Sequence, residues 1–515
     1  MVTPLPTPHP LLGPVLVVVV IVMGAGALAA WRRPDRQGGW ARRRDLAVLR
    51  VDAPTAGRLT IGRTRAGLLL AAERRASLVV LGPSQSGKTS GLAIPAILEW
   101  RGPVVATSVK ADLVNDTIEA RQVRGPAWVF DPTGSTSHRA AGWSPLTGCA
   151  TWQGARRVAS WLCGASRSGG GGLTDEEFWY TAAAKLLAPY LLAAAVGRRD
   201  MAAVVAWIDR QDEDDVSGIL AAAGEDVALL AATASWQRDE RTRSSVFTTA
   251  EMVLEAYADP AVSASAAVPE IEPARLLAGG APTLYVCAPG HEQERLRPVF
   301  ATLLQSILTA AYDASLRAGT ALDPPLLVVL DEAANIAPLR DLDSLASTAA
   351  GHGIQLVTVW QDLAQLRARY GERASTVVNN HRAKVVLSGI SDPATLEYAS
   401  RLIGDADVND RSVTTDRDGG RSTTRSRREK RLAPDASLRR IRPGEGVLVY
   451  GHLPPTRIKL RPWFAERRPT TRDGPGPDPG PRWPAGGARL RPNRPRLPSP
   501  IRPPPASPAP TPARR

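Results

Sequence analysis

A glycine-rich loop at 82–89 constrains the fold of this chain more than any other feature. It reads G-x-x-x-x-G-K-T, follows the apolar run 78–81 and precedes a segment that favours a helix. Strand, loop and helix in this order predict a phosphate-binding loop within an α/β sheet. The alternative is a glycine- and serine-rich turn that matches by chance, and the order of the flanking segments argues against it.

The residue types of this loop suit a bound triphosphate. Gly82 and Gly87 let the backbone turn tightly and bring its N–H groups against phosphate oxygens. Lys88 reaches the β- and γ-phosphates, and the Thr89 hydroxyl ligates Mg²⁺ at a helix N-terminus that favours negative charge. We therefore predict ATP and Mg²⁺ as cofactors. The predicted nucleotide-binding residues are consecutive: Gly82, Pro83, Ser84, Gln85, Ser86, Gly87, Lys88, Thr89 and Ser90.

An acidic pair far downstream completes the predicted site. Asp331 and Glu332 follow the continuous apolar run 326–330, which is typical of a strand buried on both faces of a parallel sheet. A strand-end aspartate in such a site holds the Mg²⁺ shell, and the adjacent glutamate polarises the attacking water. The alternative is an exposed acidic pair at a strand end. With an intact phosphate loop in the same chain, we favour the nucleotide site.

The remaining pattern indicates a parallel, doubly wound α/β sheet, because short apolar runs alternate with longer helical segments. A long interval rich in Ala, Leu and Trp at helical spacing separates the third and fourth strand candidates. We interpret it as an all-helical domain inserted into the sheet domain. The strand candidates are 77–82, 103–107, 127–131, 283–287, 326–331, 355–360, 384–388 and 446–450.

The predicted organisation has five parts. The nucleotide-binding domain comprises 58–150 and 276–464, and the helical insert is 151–275. Within the nucleotide-binding domain, the polar stretch 410–431 is expected to be a mobile loop. The segment 465–515, with 16 of the 45 prolines, is expected to be disordered. The N-terminal anchor is 1–31, and a basic linker follows it at 32–57.

The net charge of +14 is confined to the flanks of the chain. Residues 32–50 carry +5 and residues 465–515 carry +8, so the body between them is nearly neutral. The overall basicity is therefore no argument that the body binds nucleic acid. The three cysteines are widely spaced, which fits buried thiols in a reducing compartment and neither a zinc site nor a disulfide framework.

An uncharged run of 21 residues, 11–31, predicts a single membrane-spanning helix. Arg32, Arg33 and Arg36 follow it, so the positive-inside rule places the N-terminus outside and the body in the cytoplasm. A cleaved signal peptide is the rival interpretation. It is disfavoured because no Lys or Arg precedes the apolar run and the basic cluster lies on its other side.

With these features, the chain resembles the type IV coupling protein family, the TraG/TraD-like membrane-anchored ATPases of conjugation and type IV secretion. The similarity covers about 58–464, and its strongest part surrounds the acidic pair. Motif order, spacing and the N-terminal anchor together make it specific. The motifs that carry it are LTIG at 59–62, the phosphate loop, SVKADL at 108–113, VFDP at 129–132, GWSPL at 142–146, LDEAANI at 330–336, WQDLAQL at 360–366 and LAPD at 432–435.

This resemblance implies a RecA-like P-loop NTPase domain with a helical insert, working as a homo-hexameric motor. It implies that Lys88 and Thr89 bind phosphate and Mg²⁺, that Asp331 and Glu332 serve hydrolysis, and that Gln361 senses the γ-phosphate. The alternative for Gln361 is a structural hydrogen bond at a strand end. Many members of the family have two membrane helices, whereas only one is predicted here.

The expected function is to deliver a relaxase–DNA complex, or a secreted protein, to the membrane proteins of a secretion channel. An FtsK-like double-stranded DNA pump and a type VII-like protein-export ATPase are alternatives of the same class. The helical insert and the DEAAN string at 331–335 disfavour both. A membrane receptor that does not hydrolyse nucleotide is an alternative of another class. The intact Lys88, Thr89, Asp331 and Glu332 oppose it.

Overall fold

The computed structural model describes residues 39–167, 174–333, 339, 341–415 and 421–465. Its centre is a sheet of twelve strands in the order β1-β3-β2-β14-β13-β10-β4-β9-β8-β5-β7-β6. The strands are β1 (Arg50–Val51), β2 (Thr60–Thr64), β3 (Leu69–Ala71), β4 (Leu78–Leu81), β5 (Val104–Ser108), β6 (Ala127–Phe130), β7 (Thr283–Cys287), β8 (Leu326–Leu330), β9 (Ile354–Trp360), β10 (Ala383–Leu387), β11 (Asp405–Thr415), β12 (Arg421–Arg431), β13 (Glu445–Tyr450) and β14 (Leu453–Lys459).

Helices cover both faces of this sheet, and several begin at side-chain caps. Thr151, Asp200 and Asp239 each accept a hydrogen bond from the backbone N–H three residues later. The helices are α1 (Ile94–Glu99), α2 (Asp112–Gln122), α3 (Trp152–Ser166), α4 (Thr174–Val196), α5 (Met201–Arg210), α6 (Asp214–Ala222), α7 (Asp226–Trp236), α8 (Glu240–Ala258), α9 (Pro260–Ala267), α10 (Pro273–Leu276), α11 (Gln293–Ala318), α12 (Leu342–Thr348), α13 (Leu363–Tyr370), α14 (Ala374–Asn380), α15 (Pro393–Ile403) and α16 (Asp435–Arg439).

The sheet is mixed, which corrects the expectation of a parallel one. The seven strands from β10 to β6 are parallel, but β13 pairs antiparallel with β10 and is continued by β14, β2, β3 and β1. β13 and β14 form a hairpin with a two-residue connection, in which Gly451 has a φ of +50°. A hairpin connection of this length requires antiparallel strands, and the apolar sequence of β13 does not reveal its direction.

All eight predicted strands are confirmed, to within about two residues at either end. The short strands β1 to β3 were not predicted. β14 was missed because it contains Pro454 and Pro455, and proline in a run argues against a strand.

The expected loop at 410–431 is wrong. Most of it belongs to β11 and β12, which pair antiparallel in a separate two-stranded sheet. A ribbon of two strands satisfies backbone hydrogen bonds within the pair, so a polar sequence does not exclude it.

The two largest hydrophobic cores among the described residues lie on opposite faces of the sheet. Val79 and Val80 are adjacent in β4 and enter different cores, as the strand period of two requires. The core containing Val80 also receives α1 and α2. The core containing Val79 continues through α11 into the helices between β6 and β7. Each fully buried Val or Leu contributes about 1.5–3 kcal/mol relative to exposure.

Between β6 and β7, the predicted insert 151–275 is predominantly helical over its described residues, as its periodicity predicts. Its core is continuous with that of the sheet, since Leu186 of α4 and Phe300 of α11 lie in one cluster. Treating 151–275 as a separate inserted domain therefore stays a prediction. The three cysteines, Cys149, Cys163 and Cys287, are free and buried, as expected.

Two described helices are long and apolar enough to cross a membrane, Glu176–Val196 and Gln293–Ala318. Their most apolar windows are 61% and 56% buried inside the protein, so packing in the core explains their composition. The predicted anchor 11–31 lies outside the described residues. The predicted tail 465–515 also lies outside them, apart from Ala465.

Candidate nucleotide site

The loop after β4 has the backbone that a phosphate cradle needs. Gln85 and Gly87 have φ values of +65° and +87°, in the left-handed region that favours glycine. Gly82 is crowded, because a Cβ there would lie 2.7 Å from Ser86 Oγ and 2.9 Å from Leu387 Cβ. The N–H of Gly82 donates to the carbonyl of Trp360 at 3.0 Å, which fixes the start of the loop against β9. The loop is thereby held in a single tight conformation.

Lys88 folds back over the mouth of this loop. Its side chain is nearly buried, with 7% exposed, and its ammonium lies 3.3 Å from the carbonyl oxygens of both Gly82 and Pro83. These carbonyls are neutral partners for a buried cation. A phosphate oxygen is a stronger, charge-assisted partner in the same place. The ammonium is therefore positioned to transfer from the loop carbonyls to a phosphate.

Thr89 and Asp331 meet across the sheet. The Thr89 hydroxyl donates to Asp331 Oδ2 at 2.8 Å, although 242 residues separate them. They follow β4 and β8, which lie on either side of β9. The carboxyl ends of these parallel strands share one edge of the sheet, and two strand spacings amount to only about 10 Å. The structure thus places the predicted phosphate loop and the predicted acidic strand end in one site.

The Asp331 carboxylate is buried, and of its two oxygens Oδ2 accepts the hydrogen bond from Thr89. Asp331 is 6% exposed, and its Oδ1 makes no hydrogen bond among the described residues. Burial raises the pKa of Asp331 to about 6, while the Thr89 hydrogen bond and the Lys88 charge lower it and Glu332 raises it further. A hydroxyl and a carboxylate with an unused oxygen form the hard donor set that Mg²⁺ prefers. These residues therefore fit a Mg²⁺ ion.

Glu332 has a strained backbone, with a φ of +58°. A non-glycine residue in this region costs about 1–3 kcal/mol unless its surroundings hold it there. The next N–H, that of Ala333, donates to the carbonyl of Val359 at 3.3 Å and anchors the turn to β9. The strain aims the glutamate into the cleft beside Asp331, where it is one of the lining residues.

The cleft at this edge has a volume of about 290 Å³. The predicted residues that line it are Ser84, Gln85, Gly87, Lys88, Thr89, Ser90, Asp331 and Glu332. Gly82, Pro83 and Ser86 shape the loop from behind and are not among its lining residues. Gln361 is also absent from the described lining. It follows β9 between the two halves of the site, and its backbone N–H donates to Gln365 Oε1 at 3.0 Å.

Three charged residues of the cleft were not among the predicted site residues, although the position of Lys110 was left open. Lys110, which the sequence places either near the site or at the surface, lines the cleft together with Asp112 and Asp116. They follow β5, the neighbour of β8. Burial and the nearby Asp112 raise the pKa of Asp116. The only signal in the sequence was the polar run immediately after the β5 strand candidate.

The end of β14 supports the nucleotide site from outside. A Cβ on Gly87 would lie 3.4 Å from Leu460 Cδ1, and one on Gly91 would lie 2.8 Å from Leu460 Cβ. The Arg461 backbone N–H donates to the carbonyl of Gly91 at 3.3 Å, and its side chain forms an ion pair with Glu99 of α1. The segment 460–461 therefore braces the loop and the helix that follows it.

The α/β sheet places a glycine-rich loop after β4 next to an acidic pair after β8. This is the architecture of P-loop nucleotide-binding proteins. The chain belongs to the family described as Type IV secretory system Conjugative DNA transfer, whose model matches residues 39–476. Membership confirms the resemblance to type IV coupling proteins.

Relatives of this chain carry names from DNA transfer. The conjugal transfer protein TraG of Escherichia coli is 25% identical over 377 residues, which cover 66% of this chain and 56% of that protein. The protein VirD4 of Agrobacterium fabrum strain C58 is 23% identical over 492 residues, which cover 87% of this chain and 69% of that protein. The chain thus spans little more than half the length of the TraG relative.

Solved structures show the same fold. The unbound bacterial conjugative coupling protein TrwBΔN70 has a TM-score of 0.64 at 20% identity, covering 83% of this chain and 94% of that one. The plasmid coupling protein TrwB in complex with ADP and Mg²⁺ has a TM-score of 0.63 at 20% identity, with the same two coverages. The mixed α/β sheet and its helices are therefore TrwB-like.

Proposed function

We propose that this chain is an ATPase of type IV secretion that delivers DNA, as a relaxase–DNA complex, or a protein substrate to a secretion channel. One observation carries the proposal. The Thr89 hydroxyl and the Asp331 carboxylate form a 2.8 Å hydrogen bond in the cleft that Lys88 and Glu332 also line. The family to which the chain belongs is described by conjugative DNA transfer, which favours DNA as the cargo.

Each residue of the cleft has a task in this proposal. Lys88 exchanges its two carbonyl partners for phosphate oxygens, and Ser90 lies in the helical turn Thr89–Ala93 that leads into α1. Thr89 and Asp331 hold Mg²⁺, which supplies charge neutralisation to the phosphates. Glu332 orients and deprotonates the attacking water. The TrwB structures with ADP and Mg²⁺ and with the ATP analogue ADPNP support this assignment of cofactors.

Gln361 is proposed as the sensor of the nucleotide state. It follows β9, which hydrogen-bonds to both β4 and β8. A change at the γ-phosphate therefore has a short path to α13 through the Gln361–Gln365 hydrogen bond. This role requires the Gln361 side chain to turn into the cleft when nucleotide is bound.

The cellular setting is part of the proposal. The uncharged run 11–31 and the arginines after it support a single-pass anchor in the plasma membrane, with the body in the cytoplasm. The partners are then DNA or a relaxase–DNA complex, secreted protein and the membrane proteins of the channel. We propose a homo-hexamer as the active state, by the resemblance to ring-shaped motors.

ATP hydrolysis by the full chain in detergent tests the enzyme. Lys88→Ala removes the phosphate-binding cation, so nucleotide binding and hydrolysis are expected to fall together. Glu332→Gln keeps the shape but removes the base, so hydrolysis is expected to fall about 10²–10⁴-fold while nucleotide still binds. Lys185→Ala is the matched control, because Lys185 is exposed on α4 and is not among the residues that line the cleft. Hydrolysis that survives both changes would refute the site.

The same measurement separates the motor from a receptor that only binds nucleotide. If the chain only binds nucleotide, the wild type hydrolyses ATP no faster than the Glu332→Gln variant. If it is a motor, the wild-type hydrolysis rate exceeds that of the variant by orders of magnitude. Cargo is tested by adding single-stranded DNA or a candidate secreted protein. A rise in the rate with DNA, weakening steeply with salt, supports DNA as the substrate.

A further inference from the structure

A second cavity lies beside β2 and β14 and shares no lining residue with the nucleotide cleft. It has a volume of about 520 Å³ and is lined by Trp40, Leu46 and Leu68 together with Arg43, Arg65 and Arg457. We call it the Trp40 pocket. We infer that it binds an anionic phospholipid of the membrane to which the chain is anchored. The inference rests on the membrane setting in the proposed function.

The interior of the Trp40 pocket suits an apolar chain. Leu46, which is 3% exposed, lines the cavity together with Trp40 and Leu68, so part of the lining is apolar. The Trp40 segment is fixed in place, because the Ala41 N–H donates to the carbonyl of Pro455 at 2.8 Å. An amphipathic ring such as indole is typical of the membrane–water interface.

The rim of the Trp40 pocket suits a phosphate. The Arg457 guanidinium lies 4.9 Å from the centroid of the Trp40 ring. Arg65 pairs with Glu445 at 3.5 Å, but Arg43 is exposed and has no acidic partner in the described part of the chain. The described residues that line the pocket thus include three arginines and no Asp or Glu. Arginine presents forked donors that match phosphate oxygens, so the rim favours a phosphodiester headgroup.

The chain places this pocket close to the predicted membrane surface. The uncharged run ends at Trp31, and only seven residues separate it from Gly39, the first described residue. Seven residues span at most about 25 Å even when fully extended. The Trp40 pocket therefore lies within reach of the lipid headgroups, where each nearby arginine adds about 1 kcal/mol of attraction to anionic lipid.

A lipid fits these observations better than a nucleic acid or a free phosphate. A single-stranded nucleic acid is held along a basic groove with its bases stacked on aromatic rings, whereas the Trp40 ring already has the Arg457 guanidinium over it. A free phosphate gains nothing from the apolar interior. A lipid uses both parts, since its headgroup meets the arginines while its glycerol and first methylenes enter the cavity, at about 0.8 kcal/mol for each buried CH₂.

The test uses the full chain in an uncharged detergent. Its thermal unfolding is followed while short-chain phosphatidylglycerol, phosphatidylcholine of equal chain length, or glycerol phosphate is titrated in. Phosphatidylglycerol is expected to raise the unfolding temperature, and the other two are not. Arg43→Gln and Arg457→Gln are each expected to weaken the apparent affinity about fivefold. Arg317→Gln, at the exposed end of α11, is the matched control and leaves the affinity unchanged.

Three results would overturn the inference. Phosphatidylcholine that binds as tightly as phosphatidylglycerol removes the role of the arginines. Glycerol phosphate that binds equally well identifies a phosphate site without a lipid. Arg43→Gln and Arg457→Gln variants that match the control place the binding elsewhere. ATP hydrolysis is measured in the same samples and is expected to be unchanged, so failure of the lipid site is distinguished from failure of the ATPase.

Discussion

The Arg461 and Glu99 side chains form a buried ion pair, and each is 5% exposed. One guanidinium nitrogen of Arg461 lies 2.7 Å from Glu99 Oε1, and another donates to Oε2 at 3.2 Å. The Thr60 hydroxyl also donates to Oε2. The ion pair joins the residues after β14 to the last turn of α1, and Thr60 adds β2. Three distant parts of the chain therefore meet beside the nucleotide loop.

Breaking this ion pair on one side should destabilise the protein. Arg461→Met leaves the Glu99 carboxylate buried without its cation, at an expected cost of about 3–5 kcal/mol in the free energy of unfolding. The double change Glu99→Leu with Arg461→Met removes both charges and is expected to recover much of the loss. Urea unfolding of the three proteins measures this. A single variant as stable as the wild type would show that the pair contributes nothing.

Gly82→Ala should damage the phosphate loop directly. Its Cβ would approach Ser86 Oγ and Leu387 Cβ to under 3.0 Å, so the loop must shift away from β10. We expect nucleotide affinity to fall at least about tenfold and stability by about 1–3 kcal/mol. Gly218→Ala is the control, because the space around Gly218 in α6 is open and alanine there should stabilise by about 0.5–1 kcal/mol. Equal nucleotide affinity in both variants would contradict the loop geometry.

The strain at Glu332 predicts a trade between stability and activity. Glu332→Gly adopts the φ of +58° without cost, so it should be as stable as the wild type or more stable by up to about 1 kcal/mol. It should also lack hydrolysis. Glu332→Gln keeps the strain and should lack hydrolysis without the gain in stability. Thermal unfolding with an ATPase assay compares the two, and a marked loss of stability in Glu332→Gly would contradict the strained turn.

His381 should make stability depend on pH. Its Nδ1–H donates to the carbonyl of Val377 at 2.7 Å, its Nε2 lies 3.1 Å from the Thr358 hydroxyl, and burial lowers its pKa to about 4. Because this pKa is depressed in the folded state, its stabilising contribution is present above pH 6.5 and is lost as pH falls towards 4. The unfolded chain then binds the proton that the folded one excludes.

The His381 contribution is isolated by comparison with His381→Gln. Between pH 7 and pH 5 the wild type should lose about 2 kcal/mol more unfolding free energy than the variant. Carboxylates titrate in both proteins, so the difference between them reports the histidine. Identical pH profiles would show that His381 takes up its proton without leaving the core.

The sequence was sufficient to predict those parts of the fold and the site that depend on a local residue pattern. The phosphate loop is a contiguous motif, and Asp331 ends an apolar run, so the meeting of Thr89 with Asp331 followed from the rule that parallel strands share their carboxyl edge. Strands buried on both faces were found because they are apolar throughout.

The sequence was insufficient where contacts are distant or patterns are ambiguous. The partner of Glu99 lies 362 residues away, and nothing local to either residue indicates the other. Lys110 and Asp116 lie beside Asp331 only because β5 pairs with β8, and strand order is not written in any single motif. β14 carries two prolines and β11 and β12 are polar, so the usual strand signals are missing from them.

The proposed function depends on one Mg²⁺–nucleotide site that Thr89 and Asp331 close from two distant parts of the chain. Its most direct test is calorimetric titration of ATP with and without Mg²⁺, for the wild type and for Asp331→Asn. Mg²⁺ is expected to tighten ATP binding about tenfold or more in the wild type and to have little effect in Asp331→Asn. An equal effect of Mg²⁺ on both proteins would contradict it.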